Sequence, residues 1–500
     1  MTEWLEVQVR EAGIPALMLK IRAGVRVVIV ARKPVKAGGA KGDREEEEGM
    51  ETRAERKPAV VSERAKQAGE AQERRKRWDW VEASVWTDPM LAALENGVKG
   101  GKWFSLIDKV YRKENLQSAF KKVKKNRGTG GVDHVTVEGF EGDLDRQLTK
   151  LSEELKAGTY EPQAARRVYI EKPGTKEKRP LGIPTVRDRV CEGAFRQVLE
   201  PIFEREFAEC SHGFRPKRGA KDALRMVERG LKAGKGYVVD ADIKRYFDTI
   251  PHEPLLARIE ERIADSRVMG VLKQMLQRGV MEDREWVDSE AGTPQGGVIS
   301  PLLANVYLNP LDHLMQKAGY TMVRYADDLV ILCTTQAEAE AAYGLLKAWV
   351  ETQGISLHPE KTRIVNMNER GSGFDFLGYH FEHTRKGKLD WWPKRKSMAK
   401  MKDRIRGLTH RANGRSLDET IMKINQVTRG WYGYFKHSNR WTFTKVDGWI
   451  RGRLRSILRT RAHRDGRGRG RDHQRWNNAF FTEHGYFSLY AAYVENRQSV

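Results

Sequence analysis

The segment "VRYADDLVILC", residues 323–333, places two adjacent carboxylates inside a run of apolar residues. Such a run is typical of a buried strand, where burying even one charge is costly. Neighbouring side chains on a strand point to opposite faces, so Asp327 and Asp328 can serve one site only if the chain turns there. The segment therefore predicts a tight β-hairpin with both aspartates at its tip.

A second strand-like segment, "GYVVDADIKRYFDTI" at residues 236–250, carries Asp240, Asp242 and Asp248. If Asp242 lies beside the hairpin tip, three carboxylates meet, and like charges at that range do not all stay ionised unaided. A hard cation removes the conflict, and oxygen ligands with open coordination positions suit Mg²⁺. A pair of such ions is the arrangement used in phosphoryl and nucleotidyl transfer. The alternative is a solvated hairpin without a metal.

The charge balance predicts a polyanionic partner. Lys and Arg number 91 against 68 Asp and Glu, which gives a net charge of +23 and a pI near 9.8. Nucleic acid is favoured over an anionic membrane surface. The apolar N-terminal segment "IPALMLKIRAGVRVVIV" is interrupted by three cations, which argues against a membrane span. The three cysteines lie far apart, which argues against a disulfide framework and a cysteine zinc site.

Five hundred residues predict more than one domain. Residues 32–78 alternate small and charged residues and predict a solvated linker or a loose helix. Between about 160 and 370, strand-like and helical stretches alternate, which predicts a core of mixed α and β structure.

The last 120 or so residues have the pattern of basic amphipathic helices. In "KRKSMAKMKDRIRGLT", Met398, Met401, Ile405 and Leu408 share one face. A second helix is predicted to begin with the capping box "SLDE" at 416–419. Beyond it, residues 451–475 contain ten arginines and two aspartates, a composition that favours binding to phosphates.

These motifs together resemble those of reverse transcriptases. "RYADDLVIL" resembles their YxDD signature, "DADIKRYFDTI" their first palm motif, and "GTPQGGVISPLLANVYL" the motif between the two. "KRPLGIPTVRDRV", "SHGFRPKRGAKDAL", "GISLHPEKT" and "FDFLGYHF" resemble blocks of the group II intron type. The resemblance covers roughly residues 100 to 500. It implies an α+β right-hand fold, in which fingers and a palm with an antiparallel sheet are followed by an α-helical thumb.

The resemblance also implies roles for individual residues. Asp242, Asp327 and Asp328 would be the catalytic metal ligands, with the backbone carbonyl of Ile243 as a fourth donor to a pair of Mg²⁺ ions. Phe247 would exclude a 2′-hydroxyl and so select deoxynucleotides. The other residues expected to contact the nucleotide are Lys172, Arg179, Gln295 and Lys361. The chain departs from the family's pattern at Glu192 and Gly193, where glutamine or alanine is common.

Downstream, "SLDETIMKINQVTRGWYGYFKHSNRWTFTKVDGWIRGRL" resembles domain X, the maturase thumb of group II intron proteins. Trp431 and Tyr434 lie on the apolar stripe and are expected in its core. The residues expected to contact RNA or DNA are Arg429, Lys436, Arg451, Arg453 and Arg455. The implied domains are an N-terminal extension that is largely linker, fingers and palm, the thumb, and a basic DNA-binding segment, at residues 1–86, 87–385, 386–450 and 451–500.

The resemblance implies an RNA-directed DNA polymerase and intron maturase of the endonuclease-lacking type, because the cysteines of an HNH zinc domain are missing. The expected partners are group II intron RNA, target DNA and deoxynucleoside triphosphates, with neither a membrane nor a small-molecule cofactor. The expected location is the bacterial cytoplasm, in association with the nucleoid. Two alternatives stay open: a maturase that acts only as an RNA-binding splicing cofactor, and a domesticated polymerase of repair or defence.

Overall fold

The computed structural model describes three strands near the N-terminus and residues 63–498, except for 172–177, 283–284, 288–290, 385, 412–413 and 465. Residues 1–63 and 64–500 form two compact units. The first unit contains an antiparallel sheet in the order β1-β2-β3. Its strands are β1 (Leu5–Val9), β2 (Leu17–Ile21) and β3 (Val28–Ile29). Most of the predicted linker, residues 32–62, lies outside the described residues.

Six helices precede the first strand of the second unit. They are α1 (Glu63–Arg77), α2 (Asp88–Asn96), α3 (Ile107–Val110), α4 (Lys113–Asn126), α5 (Val137–Gly142) and α6 (Leu144–Ala157). Trp86 is fully buried, and its indole nitrogen donates to the Gln197 carbonyl at 3.0 Å. Residues 64–86, which the sequence assigns to the N-terminal extension, therefore belong to the larger unit.

The middle of the chain alternates strands and helices, as its pattern predicts. Its elements are β4 (Ala165–Glu171), β5 (Lys178–Ile183), α7 (Val186–Glu204), α8 (Ala220–Lys232), β6 (Tyr237–Asp242), α9 (Tyr246–Thr249), α10 (His252–Glu260), α11 (Ser266–Gln277), β7 (Val280–Glu282), β8 (Glu285–Val287), α12 (Ser300–Lys317), β9 (Thr321–Tyr325), β10 (Asp328–Cys333), α13 (Gln336–Thr352), β11 (Arg363–Asn366), β12 (Gly373–Phe376), β13 (Tyr379–His383) and β14 (Leu389–Pro393).

These strands form three sheets. The central sheet has the order β11-β6-β10-β9 and is antiparallel throughout. The outer sheet has the order β5-β4-β7-β8, and its β4–β7 pair is parallel. The third sheet, β12-β13-β14, is antiparallel. The antiparallel central sheet confirms the α+β class expected from the sequence.

The central sheet separates two apolar clusters because its side chains alternate between its faces. Val239, Ala241 and Leu329 point into the larger cluster, to which α7, α12 and α13 contribute. Val238 and Val330 point to the opposite face, where α8 and the third sheet cover them. The sheet is therefore buried on both sides along most of its length, and its aspartates, Asp240, Asp242 and Asp328, lie towards the hairpin end.

The C-terminal region is helical, as its sequence pattern indicates. Its helices are α14 (Arg395–Leu408), α15 (Leu417–Phe435), α16 (Arg440–Arg461), α17 (Arg471–Arg475), α18 (Asn478–Glu483) and α19 (Leu489–Gln498). The Ser416 side chain accepts a hydrogen bond from the Glu419 amide at 3.0 Å and caps α15. Met401 and Ile405 of the predicted stripe are buried in a cluster shared by α14, α15, α16 and the last helices.

Two expected domain boundaries fall inside structural elements. Strand β14 pairs with β13, so residues 389–393 belong to the third sheet and the helical region begins at Arg395. The division between 450 and 451 falls within α16, which continues to Arg461. Among the residues that the structure describes, no helix has the length and apolar character to cross a bilayer.

Candidate active site

The segment around Asp327 forms the predicted hairpin. Strands β9 and β10 pair from Thr321↔Leu332 to Tyr325↔Asp328, which leaves Ala326 and Asp327 as the two turn residues. Ala326 has a φ of 61°, a left-handed conformation that is uncommon for a residue with a Cβ. Asp327 thus lies in the turn, and Asp328 is the first residue of β10. This geometry confirms the hairpin expected from the sequence.

Strand β6 brings the third carboxylate to the hairpin. Asp242 is the cross-strand partner of Asp328, so both side chains lie on the same face of the central sheet. Directly opposed residues of an antiparallel pair have Cα atoms about 4.5–5.5 Å apart. Asp240 lies two residues earlier on the same face, opposite Val330 and Arg363. The face that is apolar around Val330 is therefore acidic at the hairpin end.

The acidic end of the sheet is electrostatically unfavourable without a cation. The pKa of Asp328 is raised to about 7, first by burial and then by the charges of Asp240, Asp327 and Asp242. Burial, together with Asp242, also raises the pKa of Asp327. The pKa of Asp240 is raised to about 6 by its burial, although Arg363 opposes the shift. Carboxylates with these shifts favour either a proton or a cation.

Lysine 361 supplies one cation. Its ammonium group forms an ion pair with Asp242, and the lysine side chain is more than half exposed. The charges of Arg179 and Lys361 both lower the pKa of Asp327, which places these two predicted nucleotide-binding residues on the acidic side of the sheet. The structure therefore places Lys361 beside Asp242, close enough for its charge to act on Asp327.

The donors present fit an open magnesium site. Mg²⁺ is usually held by one or two carboxylates and completes its shell with water and substrate phosphates. Asp242, Asp327 and Asp328 offer carboxylate oxygens. Ile243 is bridged to Leu357 by two hydrogen bonds that use the Asp242 carbonyl and the Lys244 amide, so the bridge does not engage the Ile243 carbonyl.

A closed three-carboxylate shell is not formed. Within the described part of the chain, no three Asp, Glu, His or Cys side chains are arranged to hold a metal ion by themselves. The physical reason is that Asp242 is paired with Lys361, and Asp327 lies on the turn, not on the sheet face. The backbone places Asp242 opposite Asp328 and Asp327 in the adjoining turn, and the role of the three carboxylates as metal ligands stays a prediction.

A cleft of about 320 Å³ lies between the outer sheet and the segment after β8. Phe247 and Gln295, both predicted to contact the nucleotide, line it together with Asp248. The Gln295 amide donates to Asp248 at 3.0 Å, so the side chain of Asp248 orients that of Gln295. Phe247 is half-buried and makes an edge contact with the exposed ring of Phe214 at 6.4 Å.

One predicted nucleotide-binding residue, Arg179, lies at the edge of the outer sheet. Arg179 is exposed on β5, opposite Ile170 on β4. Lys172 lies outside the described residues, so its predicted contact stays a prediction. The Arg179 charge lowers the pKa of both Asp327 and Asp248, against the larger effect of burial. The Arg179 guanidinium is therefore close enough for its charge to act on both carboxylates.

A buried arginine supports the hairpin, and the sequence motifs did not single it out. Arg324 is completely buried, and its guanidinium binds both oxygens of Asp312 at 2.7 and 2.5 Å. The same group donates to Asn305 at 3.0 Å and to the Ala326 carbonyl at 2.9 Å. Arg324 therefore connects the turn that carries Asp327 to α12. An arginine inside an apolar strand was the available signal.

The segment "SHGF", residues 211–214, packs against the other side of the turn. The His212 amide donates to the Arg324 carbonyl at 2.9 Å, and Asn305 donates to the Gly213 carbonyl at 2.8 Å. A Cβ on Gly213 would lie 2.4 Å from the Ala326 nitrogen, so only glycine permits this approach. The left-handed Ala326 is thus fixed by contacts from two directions.

Comparison with known proteins agrees with this geometry. The family model described as "Reverse transcriptase (RNA-dependent DNA polymerase)" matches residues 170–381, and "Group II intron, maturase-specific domain" matches residues 398–476. Protein YkfC of Escherichia coli is 33% identical over 300 residues, which cover 52% of this chain and 78% of YkfC. The chain belongs to the reverse transcriptase family and carries a group II intron maturase domain.

Two further relatives of this reverse transcriptase are intron proteins by their names. Group II intron-encoded protein LtrA of Lactococcus lactis subsp. cremoris is 38% identical over 234 residues, which cover 45% of this chain and 38% of LtrA. The uncharacterized 91 kDa protein in cob intron of Schizosaccharomyces pombe is 36% identical over 200 residues, 40% of this chain and 24% of that protein. The chain therefore spans less than half the length of these two relatives.

The family gives names to the parts already described. The central sheet with the carboxylates is the palm, the outer sheet belongs to the fingers, and α14–α16 form the thumb. The matched maturase region includes α17 and ends at residue 476, beyond the thumb boundary expected from the sequence. The right-hand fold expected from the sequence is confirmed by the match to the reverse transcriptase family.

The residues expected to bind RNA or DNA differ in placement. Arg429 is exposed and lies over the Phe487 ring at 4.4 Å. Lys436 and Arg451 are half-buried on the thumb surface. Arg455 is buried, and its guanidinium donates to the Trp476 carbonyl at 2.8 Å and to Asn478 at 3.3 Å. Its placement assigns Arg455 to packing within the thumb, because a phosphate cannot reach a guanidinium that is buried.

Two thumb aromatics, Trp431 and Tyr434, are half-buried and pack against the apolar clusters. Trp431 packs against Phe435 at 5.0 Å, and the Tyr434 hydroxyl donates to the Leu377 carbonyl at 2.7 Å. The last helices are also folded onto the thumb. Asp447 on α16 accepts hydrogen bonds from the Tyr486 and Ser488 hydroxyls at 2.8 Å each. The C-terminal residues are therefore part of the thumb's packing.

A group of cations surrounds Trp449 on α16. The charged groups of Lys402, Arg406 and Arg453 lie 5.6, 5.8 and 5.6 Å from the indole centre. Burial lowers the pKa of Arg453, and the positive charges of Arg406 and Arg411 lower it further. Asp403 pairs with Arg406. The thumb cation cluster is defined here as Lys402, Arg406, Arg453 and the neighbouring Arg411. It forms a surface suited to a phosphate backbone.

Proposed function

We propose that this chain is an RNA-directed DNA polymerase that also assists the splicing of a group II intron RNA, which it copies into DNA during intron mobility. The observation that carries the proposal is the register of the palm sheet. It sets Asp242 opposite Asp328, with Asp327 in the adjoining turn. The matches to both family models support the combination of the two activities.

In this proposal, Asp242, Asp327, Asp328 and the Ile243 carbonyl would hold two Mg²⁺ ions, whose chemistry is to activate a primer hydroxyl and to neutralise charge on a leaving phosphate. Lys361 reaches Asp242 from the exposed side, so the same ammonium group is within reach of a bound triphosphate. Arg179 offers a guanidinium that can bind phosphate oxygens in pairs.

The cleft beside the carboxylates supplies selection of the nucleotide. Phe247 presents a half-buried ring at the cleft wall and would pack against the sugar, leaving no room for a 2′-hydroxyl. The side-chain nitrogen of Gln295 is held by Asp248, so its side-chain oxygen, Oε1, can accept a hydrogen bond from a base or a template strand. The cleft would therefore admit deoxynucleoside triphosphates in preference to ribonucleotides.

Intron RNA and target DNA are the proposed macromolecular partners. The thumb cation cluster and Arg429 supply charge, and Trp449 supplies an aromatic surface among the cations. A protein that acts on an intron and its DNA target would work in the bacterial cytoplasm, in association with the nucleoid. The net charge of +23 is consistent with such partners.

Two assays on the full chain test the proposal. Primer extension on an RNA template with Mg²⁺ and deoxynucleotides should be active for the wild type and lost for Asp327→Ala. Splicing of the intron RNA that surrounds the coding sequence should be promoted by both proteins. A wild type that promotes splicing without extending primers would identify a splicing cofactor. A wild type that extends primers but neither binds nor splices intron RNA would favour a repair or defence polymerase.

A further inference from the structure

The segment that carries Gln295 is anchored at several points. Upstream, the Gly292 and Thr293 amides donate to the carbonyls of Ile250 and Phe247 at 2.8 and 2.7 Å. At its centre, the Gln295 carbonyl accepts from Gly182 of β5 at 2.7 Å. These contacts fix the segment to the palm and to the fingers by neutral backbone hydrogen bonds.

The downstream end of the segment is held by a charged side chain. Glu192 is buried in the middle of α7, and one of its oxygens accepts from the Val298 amide and, at 3.4 Å, from the Ile299 amide. These amides precede Ser300, the first residue of α12, where a carboxylate is favoured by the helix dipole. Glu192 is therefore a cap for α12 that comes from a distant helix.

The other oxygen of Glu192 binds Arg278, which follows α11. The Nη1–Oε1 distance is 2.5 Å, and both side chains are almost completely buried. A buried pair of this kind is weak evidence for stability, because desolvation of both charges offsets their attraction. Nε of Arg278 is also buried without a hydrogen-bond partner, so the pair is not optimised for stability alone.

The backbone approaches Glu192 closely at Gly297. A Cβ there would lie 2.5 Å from Ser300 Oγ and 3.2 Å from the Glu192 oxygen that accepts from Val298. The backbone at Gly297, two residues after Gln295, therefore passes directly over the carboxylate. A shift of Glu192 would be passed to Gln295 through two backbone units, without any intervening side chain.

We propose that Glu192, held by Arg278, is a positioning residue for the incoming nucleotide, because it sets the path of residues 295–299. The inference rests on the proposed polymerase function and on Gln295 contacting the nucleotide or the template. Glu192 touches neither. It acts through the Val298 and Ile299 amides, and Arg278 orients its carboxylate towards them.

The test compares two double variants. Both replace Arg278, because removing Glu192 alone would leave the buried Arg278 charge without its partner. Arg278→Met with Glu192→Gln keeps an acceptor for the Val298 amide, whereas Arg278→Met with Glu192→Ala does not. In primer extension, the alanine variant should show a KM for deoxynucleotide about tenfold above that of the glutamine variant, since small displacements of a binding group are costly. The kcat values at saturating nucleotide should agree within about threefold.

Glu192→Asp covers the case in which the double variants do not fold. It retains the buried charge beside Arg278 but is one methylene too short to reach the Val298 amide, and it should raise the KM in the same direction. Glu154→Gln is the control. Glu154, on α6, pairs with Arg187 of α7, the helix that carries Glu192, but this pair lies away from residues 292–299. Its KM should equal that of the wild type.

The outcomes separate this inference from the proposed function. An inactive wild type overturns the polymerase proposal. An active wild type, with equal KM values for the glutamine and alanine variants, overturns the role of Glu192. A lower melting temperature with unchanged KM would give the pair a purely structural role and would also overturn it.

Discussion

The palm and the thumb both gather like charges, but they do so on different supports. In the palm, Asp242 and Asp328 are fixed by strand register on a sheet, and Asp327 by a turn that Arg324 supports. In the thumb, the cations of the thumb cation cluster stand on long side chains around Trp449. Short carboxylate side chains on a rigid backbone suit Mg²⁺, which requires strict ligand geometry. Long, flexible Lys and Arg side chains suit an extended polyanion such as nucleic acid.

The largest effect on kcat is expected at the carboxylates that are fixed on the palm sheet. Asp242→Ala should lower kcat in primer extension by about 10³-fold or more, because in the proposed mechanism it removes a metal ligand next to the reacting phosphate. Asp240→Asn is the matched control, since Asp240 lies on the same face of β6 but pairs with Arg363 at 3.7 Å. It should change kcat by less than about threefold. Equal losses would mean that the site is a diffuse acidic surface.

The support of the turn is tested by Arg324→Lys. Lysine keeps the buried charge but cannot bind Asp312 in two places and also reach the Ala326 carbonyl. We expect kcat to fall by about ten- to a hundredfold, and the free energy of unfolding by about 2 kcal/mol. Titration calorimetry of Mg²⁺ binding should show weaker affinity.

Arg455→Lys is the control for this variant. Arg455 is also buried and donates to the Trp476 carbonyl at 2.8 Å, but it lies in the thumb and does not contact the turn. Its loss of stability should be similar, with a much smaller change in kcat. If both variants lose kcat in proportion to stability, Arg324 has no specific role in the hairpin.

Loss of cations from the thumb surface should weaken RNA binding by degrees and should not abolish it. The double variant Lys402→Ala, Arg406→Ala should weaken binding of intron RNA about tenfold and lower the slope of log K against log salt by roughly 1.5. Binding titrations at several salt concentrations measure both quantities. Lys232→Ala with Lys347→Ala is the control, because each of these exposed lysines has an acidic partner. An equal effect in the control would make the binding a matter of net charge alone.

The smallest effect concerns pH and metal. The folded-state pKa of Asp328, about 7, is above its ordinary value of 3.8, mainly through burial. The unfolded chain therefore releases its proton first as pH rises, so this group lowers stability progressively between about pH 4 and pH 7. In metal-free buffer, Asp328→Asn should melt roughly 2–4 °C above the wild type at pH 8, with little difference at pH 4.

Added Mg²⁺ should narrow that difference at pH 8, because a cation stabilises the ionised carboxylates of the wild type. Thermal unfolding with and without the ion measures this. If the melting temperatures differ by the same amount at both pH values, the shift of the Asp328 pKa is absent, and the acidic end of the sheet is better solvated than its burial indicates.

Local patterns in the sequence predicted the parts of the site that depend on neighbours along the chain. The hairpin at Asp327, the cap at Ser416 and the apolar stripe of α14 follow from alternation, capping and helical periodicity. The packing of Trp431 against the apolar clusters was predicted by the same periodicity. The end of the thumb was not, because α16 has no helix breaker at residue 450 and continues to Arg461.

The sequence by itself determined that this chain belongs to the reverse transcriptase family, because the motifs of the family are short segments of consecutive residues. Only the tertiary structure decided which charged side chains are exposed to solvent and which are buried with partners inside the protein. Arg324, Arg278 and Arg455 are charged residues that bind partners 12, 86 and 21 residues away. Local pattern cannot report such pairs, because a buried charge is tolerated only where the fold brings its partner to it.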